Sequence, residues 1–148
     1  MVSMLLSGIT VKLDELFNSG GDKYKIYTNN VEQGLESPAF FVSVIQSEVT
    51  PLLGRRCKCS ASMDIKYFPE SDLEKTGELL EIGDTLIHNM RFIELLDGSK
   101  VQGINRYYEV VDGVLHFFID YLYTMNFIEE PDALMSGLEL KGDVKNGG

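Results

Sequence analysis

Cys57 and Cys59 are the first residues of this sequence whose types and spacing could support chemistry, because two thiols can share a metal ion. On a strand, residues two apart lie on one face, about 6–7 Å from each other. A zinc site normally needs four Cys, His or carboxylate ligands. The chain has two cysteines and two histidines, and His88 and His116 fall in different predicted elements. We therefore interpret the cysteines as small buried apolar side chains and predict no metal and no cofactor.

His116 is the second candidate, since a predicted hairpin places Glu109 opposite it. A histidine beside a carboxylate can act as an acid–base pair. A partially exposed ion pair on a sheet face explains the same two residues more simply. His88 lies near the end of a predicted helix, where the helix dipole favours a positive charge. Neither histidine therefore requires a catalytic role.

Other signatures of catalysis are missing from the sequence. It contains no Gly-x-Ser-x-Gly elbow and no glycine-rich loop of the kind that binds phosphate. Glu78, Glu81 and Asp84 follow one another at spacings of three, which predicts a solvated face of a helix. We predict that the protein is not an enzyme and has no catalytic residues.

The linker that follows Pro51 has the features of a contact surface. It places Leu52 and Leu53 where a loop is usually polar, and Arg55-Arg56 follow at once. With Lys58, these arginines form the one local basic cluster, which suits an acidic partner but is too small to indicate nucleic acid. Leu52, Leu53, Arg55 and Arg56 are therefore candidate protein-interface residues.

Tyr107 and Phe118 form the second candidate interface. In the predicted hairpin they project from the face opposite Tyr108 and Phe117, beside the Glu109–His116 pair. Unless a helix also covers that face, these two rings make an apolar patch on the surface, and such patches mark protein interfaces.

Length and charge limit the class of protein. A chain of 148 residues is long enough for one self-sufficient core, and 44% hydrophobic and 24% charged residues are ordinary values for a globular protein. The net charge of −10, from 23 acidic and 13 basic residues, argues against tight binding to a phosphate backbone. No signal peptide or membrane span is predicted, which favours a reducing cytosol. We expect a single domain over residues 1–128 and a flexible acidic tail over 129–148.

Apolar spacing predicts the elements. A helix is expected over residues 5–17, a short extended piece over 24–28, and strands over 39–49 and 57–68. A capping box, Ser71 with Glu74, predicts a second helix over about 72–90. That helix contains Gly77 and Gly83, and close packing against a strand would explain both.

Two Asp-Gly dipeptides, at Asp97 and Asp112, predict hairpins with type I′ turns. The second turn sets a register, and one strand face then forms part of the core. The predicted pairs are Val111 with Val114, Val110 with Leu115, Glu109 with His116, Tyr108 with Phe117 and Arg106 with Ile119. The predicted core face consists of Leu115, Phe117, Ile119, Tyr121 and Tyr123. The resulting fold class is α+β: a mainly antiparallel twisted sheet packed against two helices, in the order α-β-β-β-α-β-β-β.

Three segments, residues 27–42, 65–69 and 110–118, resemble in order and spacing the tail terminator (tail-completion) proteins of phages and prophages of Gram-positive bacteria. The resemblance covers about residues 5–128. It implies a homo-oligomeric ring, generally hexameric, that caps the tail tube, ends its polymerisation and docks to the head connector. The implied partners are further copies of the chain, the tail tube protein and the head–tail connector protein, with DNA only as passing cargo and no membrane. The implied location is the neck-proximal end of the virion tail, after synthesis in the host cytoplasm.

Two alternatives stay open at this point. The chain could be another small tail or head–tail joining component, and a long β-hairpin arm would favour a tube subunit, which short Asp-Gly hairpins do not supply. It could also be a small ligand-binding module, which would require a deep pocket with convergent polar groups.

Overall fold

The computed structural model describes residues 2–28, 35–70 and 76–126. Eight elements follow in the predicted order α-β-β-β-α-β-β-β. They are α1 (Val2–Phe17), β1 (Lys25–Thr28), β2 (Ala39–Pro51), β3 (Arg56–Phe68), α2 (Thr76–Asn89), β4 (Phe92–Glu94), β5 (Lys100–Val111) and β6 (Val114–Asn126). The α+β class is confirmed. The capping box at Ser71 and the acidic tail at 129–148 lie outside the described residues.

The described residues divide by their internal contacts into two compact units. The larger comprises residues 2–48 and 59–123, with both helices and the hydrophobic core. The smaller comprises residues 49–58 and 124–126 of the described chain. The boundary of a single domain at residue 128 stays a prediction.

All six strands belong to one sheet, in the order β1-β2-β3-β6-β5-β4. The β4–β5 and β5–β6 pairs are antiparallel, as predicted. β1 instead runs parallel to β2, with Lys25 opposite Ala39 and Thr28 opposite Val42. The sheet is therefore mixed rather than wholly antiparallel.

One face of the sheet packs against both helices. The predicted alternation in β3 is confirmed, because every second side chain is buried; these are Cys57, Cys59, Ala61, Met63, Ile65 and Tyr67. Four of the five predicted core residues of β6 are buried, and Tyr123 packs against them partly exposed. From α1 come Leu5, Ile9 and Leu13, spaced as one helix face.

Two helical glycines mark the closest approaches of the helices to the strands. A Cβ atom on Gly8 would lie 2.8 Å from Ile93 of β4, and one on Gly83 would lie 2.8 Å from the Tyr108 ring of β5. The prediction of close packing is thus confirmed at Gly83. It is wrong at Gly77, where a Cβ would meet nothing within 4 Å.

The two Asp-Gly turns differ. Asp112 and Gly113 both have positive φ, 52° and 77°, which confirms the type I′ turn. In the first hairpin Gly98 alone has a positive φ, and its N–H donates to the Leu95 carbonyl, so the type I′ prediction is wrong there. Asp97 accepts hydrogen bonds from the N–H and hydroxyl of Ser99, which lower the pKa of its carboxyl.

A β-bulge corrects the predicted register of the last hairpin. Four of the five predicted pairs are confirmed, from Val111–Val114 to Tyr108–Phe117, and Tyr107 pairs with Phe118 next to them, but beyond the bulge Ile104 pairs with Asp120. The predicted pairing of Arg106 with Ile119 is therefore wrong. Asn105, with φ 55°, occupies the bulge and donates through Nδ2 to Asp120 Oδ2 over 2.9 Å. The extra residue reverses which β5 side chains face the helices.

Candidate protein interface

The sheet face opposite the helices carries a row of three rings. Tyr107 lies opposite Phe118 in the register, and their rings stack with centroids 4.8 Å apart at 26°. His116 also stacks with Phe118, with centroids 6.1 Å apart at 12°. Tyr107 is 53% exposed. We call Tyr107, Phe118 and His116, with the neighbouring acids Asp64, Glu109 and Asp120, the aromatic face.

His116 has a different partner from the one predicted. Glu109 does stand opposite it in the register. Its Nδ1, however, lies 3.2 Å from Oδ2 of Asp64, so the Glu109–His116 ion pair is wrong. The reason is tertiary, because β6 lies between β5 and β3 and a hairpin reveals only one of these two neighbours.

Asp64 is the residue of this face that the sequence did not single out. It is a buried carboxylate, and its Oδ1 has no hydrogen-bond partner among the described residues. The Lys66 ammonium lies 3.9 Å from Oδ2. Asp64 looked like one more outward-facing polar residue of an alternating strand. The only signal was a carboxylate in the middle of a strand, where acids are depleted.

The second candidate surface is the loop between β2 and β3. It is closed by a hydrogen bond from the Leu52 N–H to the Arg56 carbonyl, and Gly54 has a φ of 75°. Leu53 is 94% exposed, and Leu52, Arg55 and Arg56 are exposed as well. We call residues 51–56 the basic loop. Its sequence thus presents an apolar side chain and two guanidinium groups to solvent.

The acidic face of α2 is only partly a solvated face. The Tyr67 hydroxyl donates to the half-buried Glu78 and the Tyr108 hydroxyl donates to Asp84, which is exposed like Glu81. Burial, reinforced by the Glu78 carboxylate, raises the pKa of Tyr67, and the hydrogen bond to Asp84 raises that of Tyr108. Two of the three predicted solvent-facing acids therefore tie the helix to the sheet.

The residues considered for chemistry are not gathered into a reactive site. Cys57 and Cys59 are both buried thiols, and His88 is exposed with Nδ1 2.7 Å from the Asp84 carbonyl. Within the described ranges, no three His, Cys, Asp or Glu side chains are grouped so that they could hold a metal ion. A cleft of about 620 Å³ lies elsewhere, between α1 and β4. It is lined by Gly8, Val11, Lys12, Glu15, Phe92, Ile93, Glu94, Leu95, Leu96 and Lys100.

The length of the hairpins does not distinguish between a tail terminator and a tube subunit for this chain. Short hairpins were expected, but β5 and β6 have 12 and 13 residues, and β2 and β3 have 13 each. None of the helices in the described part of the chain is long and apolar enough to cross a membrane.

Comparison with known proteins identifies the family. A family model described as phage tail terminator protein matches residues 4–133, which is most of the chain. None of the curated proteins compared with the chain matches it significantly. The matched region includes the whole sheet, α2, all but the first two residues of α1, the basic loop and the aromatic face. The chain therefore belongs to the phage tail terminator family, whose members are structural proteins of the virion tail and not enzymes.

Proposed function

We propose that this protein forms a ring, hexameric in the simplest case, that caps the phage tail tube when the tube reaches its set length. The ring ends polymerisation and provides the surface that docks to the head connector. Its partners are further copies of itself, the tail tube protein and the head–tail connector protein, at the neck-proximal end of the tail. The observation that carries the proposal is the family match over residues 4–133.

The character of the surface supports this role. A capping protein needs contact surfaces rather than a reactive centre, and the aromatic face and the basic loop both present large apolar side chains to solvent. Contacts between two different surfaces of one chain build a ring when the rotation between neighbouring copies closes, and a filament when it does not.

Charge supports a ring through which DNA passes without binding. The net charge of −10 repels a phosphate backbone, so a channel lined by this chain would not retain DNA. In this proposal DNA is cargo and makes no specific contact. A channel lined by basic residues in the assembled ring would contradict it.

Deletion of the gene from its phage or prophage, followed by electron microscopy of induced lysates, tests the proposed function. We expect overlong or ragged headless tails beside full, tailless heads. Expression of the wild-type chain from a plasmid is the control and should restore joined tails of normal length. Tails of normal length joined to heads in the deletion strain would reject the proposal. Tails of normal length that fail to join heads would instead indicate another head–tail joining component.

A further inference from the structure

We propose that the basic loop of one copy docks on the aromatic face of a neighbouring copy, and that this contact joins the subunits of the ring. The inference rests on the proposed function, which it deepens by naming the two surfaces and the residues that meet. The partner that binds the aromatic face is a second copy of this chain.

The opposite charges of the basic loop and the aromatic face favour this contact. The basic loop contains two basic residues, Arg55 and Arg56, and no acid. The aromatic face has three acids, Asp64, Glu109 and Asp120, and the Lys66 ammonium lies 3.9 Å from one oxygen of Asp64. Opposite potentials on two parts of one surface favour contact between copies and disfavour the contact of either surface with itself.

The side chains of the two surfaces can also bind each other. A guanidinium group stacks on aromatic rings and bonds to carboxylates, and the aromatic face offers both. Tyr107 is 53% exposed beside its stacked partner Phe118, and the Glu109 carboxylate is exposed on the same face. Leu53 is 94% exposed, and contact with these rings would remove its apolar side chain from water, which is favourable.

The symmetry of such a contact also suits an assembly of more than two copies. The loop and the face are different parts of the surface, so each copy would use its loop on one neighbour and its face on the other. Head-to-tail contacts of this kind close into rings or run on as filaments, whereas a self-complementary patch stops at a dimer. The contact therefore suits a capping ring.

Charge reversal in the deletion strain tests the inference. The loop-reversed chain carries Arg55→Glu with Arg56→Glu, and the face-reversed chain carries Glu109→Arg with Val111→Arg, two residues exposed on the same face. We expect each reversed chain alone to leave tails overlong, because like charges then meet. The chain with all four substitutions should restore normal length, and so should the two reversed chains expressed together, since opposite charges meet again.

Matched controls keep the outcome decisive. Lys23→Glu with Lys25→Glu changes the net charge as much as the loop reversal at exposed positions elsewhere, and should still restore normal tails. Circular dichroism of each purified chain establishes folding. Leu53→Asp is a second loop variant at a 94% exposed position, and should also fail to restore normal length.

The possible results separate the inference from the proposed function. Normal tails from either reversed chain overturn the inference while the ring proposal stands. A folded four-substitution chain that fails to restore length also overturns it. Normal tails in the deletion strain itself overturn the proposed function instead.

Discussion

The environment of Asp64 shows how one side chain links two neighbouring strands, β3 and β6. Asp64 is a nearly buried carboxylate on β3, on the sheet face opposite the helices. His116 Nδ1 of β6 lies 3.2 Å from one of its oxygens, Oδ2. A buried charge is stabilising only when it is paired, and removal of one partner costs more than removal of both. The pair therefore holds the Asp64 and His116 side chains together within the aromatic face.

A double-mutant cycle checks this pairing. We expect Asp64→Asn and His116→Gln to show a coupling free energy of about 0.5–1 kcal/mol in urea unfolding, because each removes the same contact. The matched cycle of Glu109→Gln with His116→Gln should show no measurable coupling. Equal coupling in both cycles would mean that His116 pairs across the hairpin, as the sequence alone indicated.

At the scale of elements, the position of α2 on the sheet depends on the absence of a side chain at Gly83 and on hydrogen bonds from two strand tyrosines. Gly83 allows the helix to approach the Tyr108 ring, and the same tyrosine donates to Asp84 one residue further. Tyr67 makes the equivalent bond to Glu78, six residues earlier in the helix. The sheet tyrosines thus hold the helix at two points.

The two glycines of α2 give a matched prediction for this seating. Gly83→Ala should lower the free energy of unfolding by about 1–3 kcal/mol, because the new methyl group overlaps the Tyr108 ring. Gly77→Ala should leave it unchanged or raise it by up to about 1 kcal/mol, since the space around Gly77 is open and alanine favours a helix. Chemical denaturation of both variants measures the difference. A Gly83→Ala protein as stable as Gly77→Ala would show that the helix shifts without cost.

The whole molecule responds to pH through its buried tyrosines. Tyr121 is fully buried, its hydroxyl donates to the Met90 carbonyl over 2.7 Å, and burial raises its pKa above the ordinary value of 10.0. In the unfolded chain it loses its proton near pH 10, whereas in the folded chain it keeps it. Its contribution to stability is therefore complete below pH 10 and is lost as the pH rises further.

Alkaline unfolding tests this dependence. Above pH 10 the free energy of unfolding should fall with a contribution from Tyr121 of about 1.4 kcal/mol per pH unit. Tyr121→Phe should be less stable at pH 8 by about 1–2 kcal/mol, because the Met90 carbonyl loses its donor, yet show a shallower decline above pH 10. Urea titrations from pH 8 to pH 11 compare the two slopes. Parallel slopes would show that the Tyr121 proton does not contribute.

Local patterns in the sequence determined the identity and order of the elements. Strict alternation specified the buried face of β3, because a one-residue slip would expose it. The Asp112-Gly113 turn specified the β5–β6 register up to Tyr107, since a type I′ turn closes a two-residue loop in one way. The placement of Tyr107 and Phe118 on the face opposite the helices followed from that register. The family resemblance followed from parts of these two segments together with residues 27–42.

Only the tertiary structure decided the features that depend on partners distant in sequence. The parallel pairing of β1, the adjacency of β6 to β3 and hence the Asp64–His116 contact have no signal in local periodicity. The bulge at Asn105 is similar, because a single extra residue reverses the faces of β5 and is stabilised by Asp120 on the other strand. Helix and strand periods report how one segment divides core from solvent. Which segments lie side by side depends on packing of the whole chain, and that packing creates the aromatic face.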